Sequence, residues 1–310
     1  MIENEIQARF DMALRQLSLG NLLGAVESLR QVLSLAPDLA EAHAVLALTL
    51  LDLKRLHAAE YEAATALQLE PESPTALRAA GQVALAARRF SEAEQRFDAW
   101  RALRPEDAAP LQSLAQVFSL TSREKEVQGL LEQARMLEPD DPDVVAELGD
   151  WHLDQGDIGE AERLALEALE MEPQNAAALI LMGRIRVHQD RLDEAREHAI
   201  WVLQEHPSSG AALRLLVDIK ARRSLVLGLW WRYSAWMGSL GEGRAILVLL
   251  AAFVLYRFGI ITADVYGRGD LSELIRFFWY GIVAYTWIGP GLFQRSLRKE
   301  LDAVRLNRDF

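Results

Sequence analysis

Six histidines, His43, His57, His152, His188, His198 and His206, are the side chains of this chain best suited to proton transfer or metal binding near neutral pH. They are scattered, and none belongs to an HExxH pair. No GxxxxGK[ST] phosphate loop and no GxSxG nucleophile turn occurs either. Cysteine is absent, which removes disulfides, thiolate metal ligands and thiol nucleophiles together. Paired acids such as Asp140-Asp141 belong to the turns between repeats, where capping accounts for them. No catalytic residue, metal site or cofactor is therefore expected. The chemistry left to this chain is non-covalent: hydrogen bonds, ion pairs and apolar contact.

Charge is divided unevenly along the 310 residues. Residues 1–210 carry 37 acids against 19 Lys plus Arg, and residues 211–310 carry 8 acids against 14 basic residues. The acidic part excludes nucleic acid as a main ligand, because phosphate binding requires clustered basic side chains. A basic flank among apolar segments suits an anionic membrane surface. The N-terminus, MIENEIQARF, lacks the basic and apolar regions of a signal peptide, so a cytosolic start is expected.

The elements that must position any binding residues follow from the prolines. Pro37, Pro71, Pro105, Pro139, Pro173 and Pro207 recur at a fixed interval of 34 residues. A period in this range marks a stacked array, in which each unit buries its apolar face only against its neighbours. The units are 6–39, 40–73, 74–107, 108–141, 142–175 and 176–209. Small residues recur with the prolines: Ala13, Ala47, Gly81, Ala115, Gly149 and Gly183 in the first half of each unit, and Ala25, Ala59, Ala93, Val127, Ala161 and Ala195 in the second. Such pairs of small positions describe two antiparallel helices crossing closely. Each proline closes the second helix, and Ser73, Asp107, Asp141, Asn175 and Ser209 stand ready to cap the next; Leu39 does not. Gly20 and Gly156 mark bends between helices.

This pattern resembles the tetratricopeptide repeat, a 34-residue helix-turn-helix unit with small residues at its eighth and twentieth positions and a proline near its end. The usual early aromatic is replaced here by His43, Leu77, Leu111, Val145 and Leu179, and repeat four departs with Val127 and with Thr121-Ser122 in its turn. The resemblance implies an all-α superhelical solenoid whose first helices line a concave groove for a protein or peptide. Family phasing turns Phe10, Leu14, Leu48, Leu51, Arg78, Gln82, Gln112, Gln116, Asp150, Asp154, Arg184 and His188 inward. A glutamine-rich middle suits an extended peptide backbone, and the apolar first units suit a side chain. The match to relatives that clamp a C-terminal carboxylate is poor.

Beyond the array, residues 210–243 comprise a capping helix over 210–222 and an aromatic segment, 224–240, with Trp230, Trp231, Tyr233 and Trp236. That segment is read either as an in-plane interfacial helix or as the second half of the capping unit. Residues 244–294 contain two apolar stretches, at about 245–263 and 274–293, expected to form a transmembrane hairpin. Residues 295–310 form a basic tail. The positive-inside rule places the array and the tail in the cytoplasm of a bacterium, at its inner membrane. Arg257 and Arg276 then reach the headgroups or meet Asp264, Asp270 or Glu273, and for Arg257 the alternative is a pair with an acid in another membrane subunit. The expected function is a membrane-anchored scaffold that recruits a protein partner. The alternative is a structural subunit or assembly factor of a larger membrane complex.

Overall fold

A computed structural model of the protein describes residues 2–206, 209–223, 242–281 and 283. The aromatic segment 224–240, residues 284–293 and the tail 295–310 lie outside the described residues, as does Pro207. Among the described residues every regular element is an α-helix. The chain divides into two compact units, Met1–Ile185 and Arg186–Phe310.

The first unit runs α1 (Ile2–Ser18), α2 (Leu22–Leu35), α3 (Ala40–Asp52), α4 (Leu56–Leu69), α5 (Pro74–Ala86), α6 (Phe90–Leu103), α7 (Ala109–Leu120), α8 (Glu124–Leu137), α9 (Pro142–Asp154), α10 (Ile158–Met171) and most of α11 (Ala176–His188). Helices pair in order, α1 with α2 through to α9 with α10, and the second helices of the first four pairs also touch the first helix of the next. Small residues permit this approach. Ala13, Ala25, Ala47, Ala59, Ala93 and Ala161 are fully buried. At Gly81 an added Cβ would stand 2.3 Å from the Phe97 ring, and at Gly149 it would stand 2.6 Å from Leu181 Cδ2 and 3.1 Å from Leu164 Cβ. The replacements for the early aromatic, His43, Leu77, Leu111, Val145 and Leu179, are all buried. His43 also ties three pieces of chain together, with Nδ1 2.6 Å from Glu62 Oε2 and Nε2 2.9 Å from the Pro37 carbonyl.

Four of the five expected caps form. Side-chain oxygens of Ser73, Asp141, Asn175 and Ser209 accept from the amides of Ala76, Val144, Ala178 and Ala212. Asp107 does not cap: α7 starts after Ala108, whose amide donates instead to Glu138 Oε1 at 3.0 Å, so the carboxylate at the end of α8 takes that role.

The bends obey a rule that only two glycines hint at. Gly20, Lys54, Arg88, Ser122, Gly156 and Asp190, each 34 residues from the next, all have positive φ, between 59° and 85°. Left-handed backbone there ends the first helix and turns the chain into the second. Beside these bends Arg89 pairs with Glu60 at 2.7 Å and Arg123 with Glu94 at 2.8 Å, linking neighbouring repeats where the arginines make no helix cap.

In the second unit α12 (Leu192–Glu205) packs against α13 (Gly210–Arg223). Arg222 donates to the Val187 carbonyl at 2.8 Å. Next come α14 (Glu242–Val265) and a helical stretch over 269–281, turned at Gly267 and held by a Tyr256–Trp279 stack with centroids 4.5 Å apart. Here the sequence-based placement is corrected. Among the described residues no helix is long and apolar enough to cross a membrane. Arg257 places a charge within the first apolar stretch, and a charged side chain at depth in a hydrocarbon core is costly. The stretch 269–281 carries Asp270, Glu273 and Arg276. The two-span placement at a bacterial inner membrane, and the sidedness drawn from it, do not stand. Arg257 is exposed, and Arg276 lies 3.9 Å from Asp264 across the turn.

Packing at the crossings sets a testable cost. Gly149→Ala is expected to lose about 1–3 kcal/mol through forced repacking, and Gly156→Ala roughly 1 kcal/mol through left-handed strain. Urea denaturation followed by circular dichroism measures both, and an unchanged midpoint in Gly149→Ala would show that the crossing tolerates bulk.

Candidate functional site

The first helices of the repeats carry the polar side chains assigned to the groove, and the structure sorts them into three groups. Phe10 is removed from any ligand: it is buried in the apolar cluster formed by α1 to α5 with Ala13, Leu29 and Leu46. Leu14 is exposed, and Leu48 and Leu51 are half-buried against that cluster.

A second group is already engaged. Arg184 on α11 donates to Asp150 and, at 2.6 Å, to Asp154, both on α9. Gln112 Nε2 on α7 donates to Glu147 Oε2 on α9 at 2.8 Å. Glu147 was not among the residues expected from the sequence. The signal was present: Asp143, Glu147, Asp150 and Asp154 follow helical spacing and put four acids on one stripe of α9. Asn175 Nδ2 donates to Asp143 at 2.8 Å, so each acid of the stripe has a donor. Of the four, Asp150 and Asp154 are the ones paired with a cation.

That difference appears in the electrostatics. Burial pushes the Glu147 carboxyl up to about 7; the Gln112 hydrogen bond opposes the shift, and the Asp150 and Asp143 charges add to it. Asp150 is also raised, by burial, with Arg184 acting against the shift.

The third group stays unpaired. Arg78 and Gln82 on α5, and Gln116 on α7, make no side-chain hydrogen bond or ion pair to other described residues, and Arg78 and Gln116 are exposed. Arg78 and Gln82 are four residues apart on one helix face, and Gln116 occupies the place of Gln82 one repeat later. His188 is exposed and belongs to the second unit. Among the described residues no group of three or more His, Cys, Asp or Glu is placed to hold a metal ion.

Comparison with known proteins bears on this geometry. The sequence pattern of the tetratricopeptide repeat matches residues 10–68, 57–108 and 152–219, together more than half of the chain. The chain belongs to the tetratricopeptide repeat family. Proteins of this family mediate protein–protein interaction and scaffolding. No curated protein matches the chain. Among solved structures, a repeat protein of this family from Parabacteroides merdae is 17% identical with a TM-score of 0.59, over 69% of this chain and 84% of that one. A thermophilic member from Thermus thermophilus is 22% identical with a TM-score of 0.54, over 59% and 97%. The PilF protein of Pseudomonas aeruginosa is 22% identical with a TM-score of 0.50, over 70% and 99%. At these identities the likeness is one of fold.

Two measurements probe the site. Arg184→Gln is expected to cost about 1 kcal/mol, the scale of a partly exposed pair, read as a lower urea midpoint. Glu147 predicts a pH effect. Its ordinary value is 4.5 and its folded value about 7. Folded chain therefore keeps a proton that unfolded chain loses, and this group's stabilisation is complete below pH 4.5 and falls away as pH rises to about 7. Glu147→Gln should raise the unfolding free energy at pH 8 by on the order of 1–3 kcal/mol and leave it nearly unchanged at pH 4; equal effects at both pH values would refute the assignment.

Proposed function

We propose that this chain is a non-catalytic interaction scaffold that captures an extended segment of a protein partner on the first helices of repeats three and four. The observation that carries the reading is the unpaired set Arg78, Gln82 and Gln116, flanked by a neighbouring set, Gln112, Glu147, Asp150 and Arg184, whose hydrogen bonds are already made within the protein. Amide side chains repeated one unit apart suit a peptide backbone, whose donors and acceptors also recur at regular intervals. Arg78 adds a free guanidinium for an acidic or carbonyl group on the partner. Leu14, Leu48 and Leu51 offer apolar contact at the first repeats. No cofactor, metal or nucleic acid enters this reading. Recruitment raises a partner's local concentration without further chemistry.

The triple variant Arg78→Glu, Gln82→Ala, Gln116→Ala in the full chain should lose at least about tenfold affinity for peptides selected on an array by the unaltered protein, with the same helix content by circular dichroism. Fluorescence anisotropy reads the loss, and equal affinity would sink the groove assignment.

A second reading, a structural subunit or assembly factor of a larger complex, is favoured by one observation. Leu255, Phe258 and Val265 on α14 and Phe277 on the following helix are each more than two-thirds exposed. Apolar side chains in such a patch mark an interaction surface. Leu255→Lys with Phe258→Lys should abolish co-purification of partners under this reading and leave it intact under the first.

A further inference from the structure

Helix α14 has two apolar faces, and the described residues cover one of them. Tyr256, Gly259, Ile260 and Ala263 turn toward the stretch 269–281. Ile260 and Ala263 are buried, Tyr256 stacks on Trp279, and a Cβ added at Gly259 would stand 3.6 Å from Ile275 Cδ1. At about 100° per residue the row Ala251, Val254, Phe258, Ile261 and Val265 lies on the opposite side of the helix. All five are exposed, Val254 by 62%, Phe258 by 68% and Val265 by 77%. A helix apolar on opposite sides is one that is enclosed from both.

The spacing of the exposed row bears on what encloses it. Its intervals are three, four, three and four residues, which keep a row in register with a neighbouring helix when two helices wind together. Ala251, Phe258 and Val265 then hold the first position of each heptad, and Val254 and Ile261 the fourth. Charges beside such a row set partner and orientation. One border carries Arg257 and Asp264, opposite in sign and each just before a first-position residue; the other carries the uncharged Leu255 and Thr262. Arg257 is exposed and makes no hydrogen bond or ion pair with the other described residues, and Asp264 meets Arg276 only at 3.9 Å. A parallel copy would set Arg257 against the partner's Thr262 and Asp264 against the partner's Gly269, leaving both charges without a mate. An antiparallel copy, related by a two-fold axis between Phe258 and Ile261, sets Phe258 on the partner's Ile261, Val254 on the partner's Val265, and Arg257 against the partner's Asp264. The symmetry makes each of these contacts twice.

We propose that a second copy of this chain covers the exposed row of α14, forming an antiparallel two-fold dimer closed by two Arg257–Asp264 pairs. A lipid surface or an unrelated apolar groove would accept the row but gives no account of opposite charges one heptad apart on a single border. The apolar patch on α14 is then a contact between like chains. It is independent of peptide capture, because it uses none of Arg78, Gln82 and Gln116. The dimer carries two arrays, and so holds a partner with repeated segments more tightly than one array does.

Analytical ultracentrifugation of the full chain tests it. The unaltered protein should sediment as two chains at micromolar concentration. Arg257→Asp sets acid against acid at both pairs and should weaken association by at least about tenfold; Asp264→Arg should do the same by setting cation against cation. An equimolar mixture of the two variants should recover dimers, because each chain supplies the charge that the other lacks. Val254→Asp, at an exposed site, should yield single chains with both charges in place. Single chains throughout overturn the proposal, whether the row proves to be covered by residues 224–240, by lipid vesicles or by another protein. Dimers that Arg257→Asp and Val254→Asp leave intact, or that the mixture fails to restore, overturn it as well. Should Asp264→Arg fail to fold beside Arg276, high salt takes the place of the mixture: screening must strengthen association of Arg257→Asp, and no gain overturns the proposal.

Discussion

Two helices can lie close along their length only where the side chains between their axes are hydrogen atoms or methyl groups, and in this protein that requirement returns every 34 residues. The glycine at 81 leaves room for the ring of Phe97, and the glycine at 149 for Leu181 and Leu164. Each pair so formed still has an apolar face that it cannot bury alone. Stacking on the next pair covers it, and the array is the outcome. The proline that closes each unit, the cap that opens the next and the left-handed bend within it all serve the same end. They keep each helix short enough for the crossing to recur in phase.

Repetition leaves one surface free to vary. Positions that face the crossings are held to small or apolar residues, whereas those on the outer side of the first helices meet no such demand. That is where the chain differs most from one repeat to the next: apolar at Leu48 and Leu51, amide and guanidinium at Arg78, Gln82 and Gln116, acidic along α9. The same freedom allows a carboxyl such as Glu147 to remain without a counter-ion. Its cost falls on one seam rather than on the whole array, because stability in a stacked array is a sum of neighbour terms.

Much of the fold was legible from residue types and spacing. The helical repeat follows from the prolines and small positions, and the capping of α5, α9, α11 and α13 from Ser73, Asp141, Asn175 and Ser209. Asp107 failed because capping depends on which oxygen reaches the free amide first, and Glu138 arrives from another helix. The bends were half legible: glycine announces left-handed backbone at 20 and 156, but Lys54, Arg88, Ser122 and Asp190 adopt it under the constraint of the two helices they join. In the candidate site, phasing names residues that share a face without saying which already have partners. Phe10 turned to the core, and Arg184 turned to Asp150 and Asp154. The apolar stretch of α14 misled through its length, since a count of residues passes over the cost of the charge at Arg257.

The sequence by itself determined the period, the helix pairs and the absence of thiol chemistry, because these depend on local backbone preference and on residue size at fixed intervals. Tertiary structure alone decided which groove side chains stay unpaired, that Glu147 is half-buried beside two acids, and that no described helix is long and apolar enough to span a membrane. The reason is physical: burial, hydrogen-bond pairing and the field at a carboxyl are properties of neighbours brought together from different repeats. Such neighbours are a whole repeat apart in the chain and within hydrogen-bond reach in space.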